Sequence, residues 1–248
     1  RSSAASDVYK RQRIDGEAWH DSRPRLAEED GIQRALLFSE HLGVSITIPH
    51  MSIGSGVSIV DHHRKFRNSK KGNVTAETCG HYLHLTKDQL TGTLGKVNPP
   101  LRERSDIRKL WEGLASGSVD FLGSDHCSYK MDVKGYDVWT ARPGLPGIGM
   151  TVPILLTEGV AKNRLSLPRM AEVTSYNTAR NYGLFPRKGI IRQGSDADLM
   201  VIDLKKRVQV STTMLNSHAD YTPYEGFVSH GWPTLTIAGG EVIPVSYT

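Results

Sequence analysis

Cysteine is scarce: Cys79 and Cys127 are the only two in 248 residues. Two thiols cannot build a disulfide scaffold, and each lies inside a strand-like motif, which points to a reducing, cytoplasmic home. No apolar run approaches the roughly 18 residues that would argue for a membrane span, so no membrane partner is expected. A G-x-G-x-x-G loop joining strand to helix is also missing. "SIGSGVS" (52–58) carries only its first half, which argues against a dinucleotide-binding sheet. Asp196, Asp198 and Asp203 lack the spacing of an EF-hand and read as turn and cap residues.

The formal charge of +5 does not come with a basic stripe interleaved with aromatics, so nucleic acid is not an expected partner. The cations gather in "DHHRKFRNSKKG" (61–72), the exposed face and end of a helix with Gly72 as its stop. His62 and His63 are adjacent and point in different directions on such a helix, which favours a solvated surface over a metal site.

The chain does have enough apolar residues, 38%, for a sizeable core. "RSSAASDVYKRQ" (1–12) has no helical or strand period and reads as a non-native leader. From Glu28 the pattern is regular. A helix with Ile32, Ala35, Leu36 and Leu42 on one face stops at Gly43. A strand over 44–49, a helix over 57–70 and a strand over 73–79 follow. Ser105 is the expected cap of a helix carrying Ile107, Leu110, Trp111 and Leu114, ahead of a strand over 118–124. Residues 150–182 read as two helices, the second capped by Ser166. This alternation predicts an α/β fold with parallel strands and right-handed crossovers. From Gly189 onward the character changes to antiparallel β structure, closing in a hairpin at Gly239-Gly240.

Only three strands of the parallel kind are visible, whereas a closed (β/α)8 barrel takes about eight strands and about 250 residues. An open doubly wound sheet is the structural alternative. Polar residues help to separate the two: His50, the cluster from Glu77 to His81, and Asp125-His126 all sit at the C-terminal ends of successive strands. In a parallel barrel those ends share one rim, where active sites are built.

Seven motifs then carry a resemblance: "IPHMS" (48–52), "AETCGHYLHLT" (76–86), "VNPPLR" (97–102), "GSDHCS" (123–128), "GLPGI" (144–148), "GLFPRKGIIRQGSDADLMVID" (183–203) and "GWPTLTIAGGEVI" (231–243). In this order, over nearly everything from Trp19 onward, the chain resembles the cyclic amidohydrolases: hydantoinases, dihydropyrimidinases, allantoinases and the related dihydroorotases. The resemblance implies a (β/α)8 barrel with a small β-sandwich. It also implies two divalent metal ions, usually zinc, held by a His-x-His pair, a carboxylated lysine, two further histidines and an aspartate. His50 matches the sixth-strand ligand and Asp125 the eighth-strand ligand. Asp125 would in addition be the catalytic carboxylate, passing a proton from water to the leaving ring nitrogen. Asn98, Pro143 and Gly144 match substrate-binding positions, although many hydantoinases have Asn where Pro143 stands. His81 and Cys127 either line the pocket or, for Cys127, fill a small buried space.

Departures from the family pattern set further expectations. There is no His-x-His in the chain and no lysine within an apolar strand; Lys65, Lys70 and Lys71 belong to the basic run. The chain is therefore expected to be the C-terminal part of such an enzyme: residues 13–188 giving strands six to eight of a partial TIM-type barrel, and 189–248 the closing β-sandwich strands. The carboxylated lysine is expected upstream, absent from this chain. The expected activity of the full-length form is hydrolysis of a cyclic amide C–N bond in a hydantoin, dihydropyrimidine or allantoin-like ring, by a homo-oligomer; this fragment alone is expected to be inactive. The alternatives are a dihydroorotase and a non-catalytic dihydropyrimidinase-like assembly protein. His50 and Asp125 favour catalysis, since an interaction protein has no need of metal ligands.

Overall fold

A computed structural model describes residues 17–67 and 72–243. The leader expected over 1–12 and the pair Lys70-Lys71 lie outside the described residues. The first long helix, α1 (Arg25–Leu42), ends where Gly43 turns left-handed at φ 69°, a conformation glycine adopts without steric penalty. Ile32 and Leu36 are buried on it, whereas Leu42 is 65% exposed. Ten residues of helix bring Leu42 roughly 80° out of line with Ile32, off the buried stripe.

Three short strands follow: β1 (Ile46–Ile48), β2 (Val74–Cys79) and β3 (Phe121–Gly123). They pair in the order β1-β2-β3, all parallel, with Ile46 opposite Val74 and Glu77 opposite Phe121. The α/β alternation is therefore as expected. The crossovers are α2 (Gly54–Phe66) and α3 (Arg104–Ser116), which pack on one another.

Several boundaries differ from the sequence reading: the strands expected over 44–49 and 118–124 shorten to Ile46–Ile48 and Phe121–Gly123, and the helix expected from 57 already begins at Gly54. Helix α2 ends at Phe66, with Arg67 already extended. Gly72 is not its stop: a Cβ there would collide with the backbone of Val44, so the residue is small because two backbones pass closely. Helix α3 begins at Arg104 with Glu103 as its N-cap, so Ser105 already lies inside the first turn. Leu110, Trp111 and Leu114 are buried along it, as their spacing predicts.

Beyond β3 come a single short turn α4 (Met131–Lys134) and α5 (Thr151–Ile154), which widens into π-type turns over Leu155–Val160. Helix α6 (Leu167–Ala171) runs on through Glu172–Tyr176 into α7 (Asn177–Asn181). Ser166 caps α6 as expected, its hydroxyl accepting the Arg169 N–H at 3.2 Å. The last sheet is antiparallel, with β4 (Leu199–Gln209), β5 (Val228–Ala238) and β6 (Glu241–Ile243) in sequence order. Its hairpin turns at Gly239-Gly240, both with positive φ. Strand β5 leans on α5, where the His230 N–H donates to Thr157 Oγ1 at 2.8 Å. No helix among the described residues is long and apolar enough to cross a membrane.

Candidate active site

Strand β2 is the centre of the site because both neighbours end beside it. Ile48, the last residue of β1, lies opposite Ala76, and Gly123, the last of β3, lies opposite Cys79. Two residues past each of those ends stand His50 and Asp125. Both have left-handed backbones, at φ 37° and 42°, which is uncommon for residues carrying a Cβ and costs on the order of 1 kcal/mol each. The surroundings hold the first bend in place. The Met51 N–H donates to the Glu77 carbonyl at 2.8 Å, and Thr78 Oγ1 donates to the Met51 carbonyl at 2.8 Å. The next residues are pinned from the helices. The Ser52 N–H and hydroxyl donate to the Glu28 carboxylate, which also pairs with buried Arg102 at 3.0 Å. The Gly54 N–H donates to Asp106 at 2.8 Å.

At this rim His50 acts electrostatically on three other titratable side chains, Asp125, Glu77 and His81. Burial raises the Asp125 carboxyl above its usual range, with the nearby His50 charge opposing the shift. Glu77 is raised for the same first reason, opposed by a hydrogen bond from the His50 backbone and by the His50 charge, and reinforced by Asp125. Burial also brings His81 down to about 3, with His50 adding to it. The sequence-predicted pair, His50 and Asp125, is thus brought within electrostatic reach. Two buried ring nitrogens here, His50 Nδ1 and His81 Nε2, have no hydrogen-bond partner. Among the described residues no group of three or more His, Cys, Asp or Glu side chains is arranged to hold a metal ion.

Asn98 and the Pro143-Gly144 stretch lie on neighbouring loops. Asn98 is exposed, in a segment anchored by Trp19 Nε1 donating to the Val97 carbonyl at 3.0 Å and by the Tyr82 hydroxyl donating to the Pro99 carbonyl at 2.6 Å. Gly144 has φ 127°, and a side chain there would strike Cys127. Its N–H donates to the Lys96 carbonyl at 2.9 Å. The Cys127 N–H donates to the Leu145 carbonyl at 3.0 Å, so this loop is stitched to the segment leaving Asp125. His126 Nδ1 accepts the Gly147 and Ile148 N–H groups. It is a loop organiser rather than a member of the rim cluster. Cys79 is buried in the sheet and Cys127 is half-buried.

Sequence reasoning noted the cluster from Glu77 to His81 but gave Glu77 no part. Its position in β2, with a side chain that no Cβ at Gly123 could clear, was signalled only by a carboxylate inside a β-prone run. His20 is held at a different place, with its Nδ1 3.2 Å from the Leu101 carbonyl, and burial lowers its pKa.

Comparison with known proteins extends this picture. The model of the Amidohydrolase family matches residues 21–243. The chain is 36% identical to an L-hydantoinase of Paenarthrobacter aurescens over 231 residues, covering 91% of this chain and 50% of that protein. It is 34% identical to a dihydroorotase of Halobacterium salinarum, covering 96% and 54%. Among solved structures, L-hydantoinase from Arthrobacter aurescens superposes with a TM-score of 0.88 at 34% identity, covering 96% of this chain and 54% of that one. A D-hydantoinase from Bacillus sp. AR9 superposes at 0.90 with 28% identity, covering 97% and 54%. The chain spans about half the length of the curated relatives it matches.

Proposed function

This chain belongs to the amidohydrolase family, and from that premise we propose that the whole protein hydrolyses the C–N bond of a cyclic amide: a hydantoin, dihydropyrimidine or allantoin-like ring. In this reading β1, β2 and β3 are strands six to eight of a (β/α)8 barrel, residues 13–188 are its C-terminal part, and 189–248 supply strands of a β-sandwich. The observation that carries the reading is the matched pair of bends that aims His50 and Asp125 at one rim, with His50 Nδ1 buried and unpartnered.

Those two side chains fit a divalent cation such as zinc. A buried imidazole nitrogen without a partner and a half-buried carboxylate with little else to neutralise it both gain from one. His50 and Asp125 would hold it, together with ligands beyond this chain, among them a carboxylated lysine. When bound, two such ions lower the pKa of water and polarise a carbonyl. Asp125 handles the proton. Its carboxylate takes one from the attacking water and returns it to the ring nitrogen as the C–N bond breaks, the task of a positioned general acid–base. Asn98 and the backbone of Pro143 and Gly144 would orient the ring amide. Assembly as a homo-oligomer in the cytoplasm belongs to the same reading.

The experiment joins the native upstream coding sequence to this chain, loads the protein with zinc, and follows ring opening of hydantoin, dihydrouracil, allantoin and dihydroorotate by chromatography. Turnover of dihydroorotate alone would select the dihydroorotase alternative. No turnover of any ring at full zinc occupancy would select the non-catalytic assembly protein.

A further inference from the structure

Two lysines are buried where the substrate loops meet. Lys134, at the end of α4, is 0% exposed and Lys96 is 3% exposed. Their contacts are reciprocal. Lys134 Nζ donates to the carbonyls of Lys96 at 3.1 Å, Arg142 at 3.1 Å and Gly144 at 2.9 Å. Lys96 Nζ donates back across the gap, to the carbonyls of Trp139 at 3.1 Å and Ala141 at 2.5 Å, and lies 4.2 Å from the centre of the Trp19 ring. An ammonium has three donors, and Lys134 finds three carbonyl acceptors. The Lys96 carbonyl is shared, since it also accepts the Gly144 N–H at 2.9 Å.

Such an arrangement is costly if packing is all it serves. Burying one ammonium without a bonded carboxylate is unfavourable, and each of these two raises the cost of the other. Burial first, then the Lys96 charge, pulls the Lys134 pKa down to about 8. A methionine would fill the same space without that cost. What a methionine cannot do is hold three carbonyls from two separate loops at once. One of them lies two residues before Asn98, and another belongs to Gly144 itself.

We infer that Lys134, with Lys96, forms a reciprocal clasp that fixes the loop bearing Asn98 against the loop bearing Pro143-Gly144, making Lys134 a positioning residue for the ring amide held between them. The clasp stands on these contacts alone; its service to a ring substrate rests on the hydrolase reading. Lys134 touches neither substrate nor reacting atoms. It acts through the backbone of Gly144 and of Lys96.

Amide hydrogen exchange on this chain, wild type against Lys134→Met, tests the clasp. The N–H groups of Gly144 and Lys96 and the Trp19 indole N–H, bonded to the Val97 carbonyl, should all exchange faster, by about tenfold or more, as expected when buried hydrogen bonds are lost. The amides of Ala76 and Thr78 in β2 should be unchanged. A response at Gly144 alone, or equal acceleration in β2, would overturn the inference. Lys96→Met should give the same pattern from the other side, which guards against a defect peculiar to one variant. In the longer, zinc-loaded protein, Lys134→Met should raise KM by about tenfold while kcat falls less than about threefold, the split expected when contacts that hold the ring equally in ground and transition state are loosened. An unchanged KM would overturn the positioning role. Failure of the wild-type protein to open any ring would defeat the hydrolase reading and with it the link to substrate, whereas the exchange result would still decide whether the clasp exists.

Discussion

Asp106→Ala is the most informative single change in the scaffold behind the site. The carboxylate is 1% exposed and does three things. It accepts two hydrogen bonds from the Arg25 guanidinium at 2.6 Å and one from the Gly54 N–H at 2.8 Å. Gly54 opens α2, four residues after His50, and its N–H has no intrahelical acceptor. Alanine leaves that donor buried and unpaired, at a cost of about 1–3 kcal/mol. Arg25 is 42% exposed and keeps Glu103 at 3.2 Å, so after solvent screening its loss adds only about 0.5–1 kcal/mol. The sum is roughly 1.5–4 kcal/mol. For a chain of this size each kcal/mol moves the melting temperature by about 2–4 °C, giving a fall of roughly 3–16 °C. Asp106→Asn keeps an oxygen for Gly54 and should lose about half as much. Circular dichroism melts at neutral pH read both variants. An alanine variant melting within about 2 °C of wild type, or an asparagine variant no better than alanine, would refute the assignment of Asp106 as the anchor of this segment.

Three further outcomes are expected. Gly123→Ala drives a methyl group into the Glu77 carboxylate; it should destabilise the chain by about 1–3 kcal/mol in urea titrations and weaken zinc binding by the longer protein, and normal values for both would show that Glu77 simply swings aside. Elemental analysis of the purified chain should find fewer than two tightly held zinc ions, because His50 and Asp125 alone fall short of the about four ligands a zinc ion takes; two per chain would contradict the ligand assignment. The third concerns pH: Lys134 titrates at about 8 in the fold against 10.5 ordinarily. Between those values the unfolded chain holds more protons, so this lysine's contribution to stability rises with pH across the window and is flat below it. Urea unfolding from pH 7 to 10 should show that rise in wild type relative to Lys134→Met, and parallel curves would place the Lys134 pKa near its ordinary value.

Much of the molecule was legible because its signals are local. Gly43 ends a helix with a left-handed backbone, Ser166 caps one with its own hydroxyl, and Leu110, Trp111 and Leu114 follow the helical repeat into the core. The placement of His50 and Asp125 just past strand ends was legible because such ends announce themselves by the switch from apolar to polar residues. The misreadings have a common physical cause. Gly72 is small because of Val44, nearly thirty residues earlier, and no local pattern records that approach. Ser105 has the chemistry of a cap, but Glu103 takes that place. Lys96 and Lys134 were invisible for a deeper reason: lysine is almost always exposed, and what buries these two is a set of carbonyl oxygens presented by loops some forty residues apart. Glu77 likewise acquires its neighbours only when three strands align.

The bends at His50 and Asp125 bear on evolutionary drift. Glycine would accept either backbone at no steric cost, and asparagine at little. A lineage released from chemistry and kept only as scaffolding would gain stability by letting those residues in, one mutation at a time. If the hydrolase reading holds, an imidazole and a carboxylate kept at two energetically uphill positions are what selection for metal binding would preserve, and glycine or asparagine there is what its loss would admit.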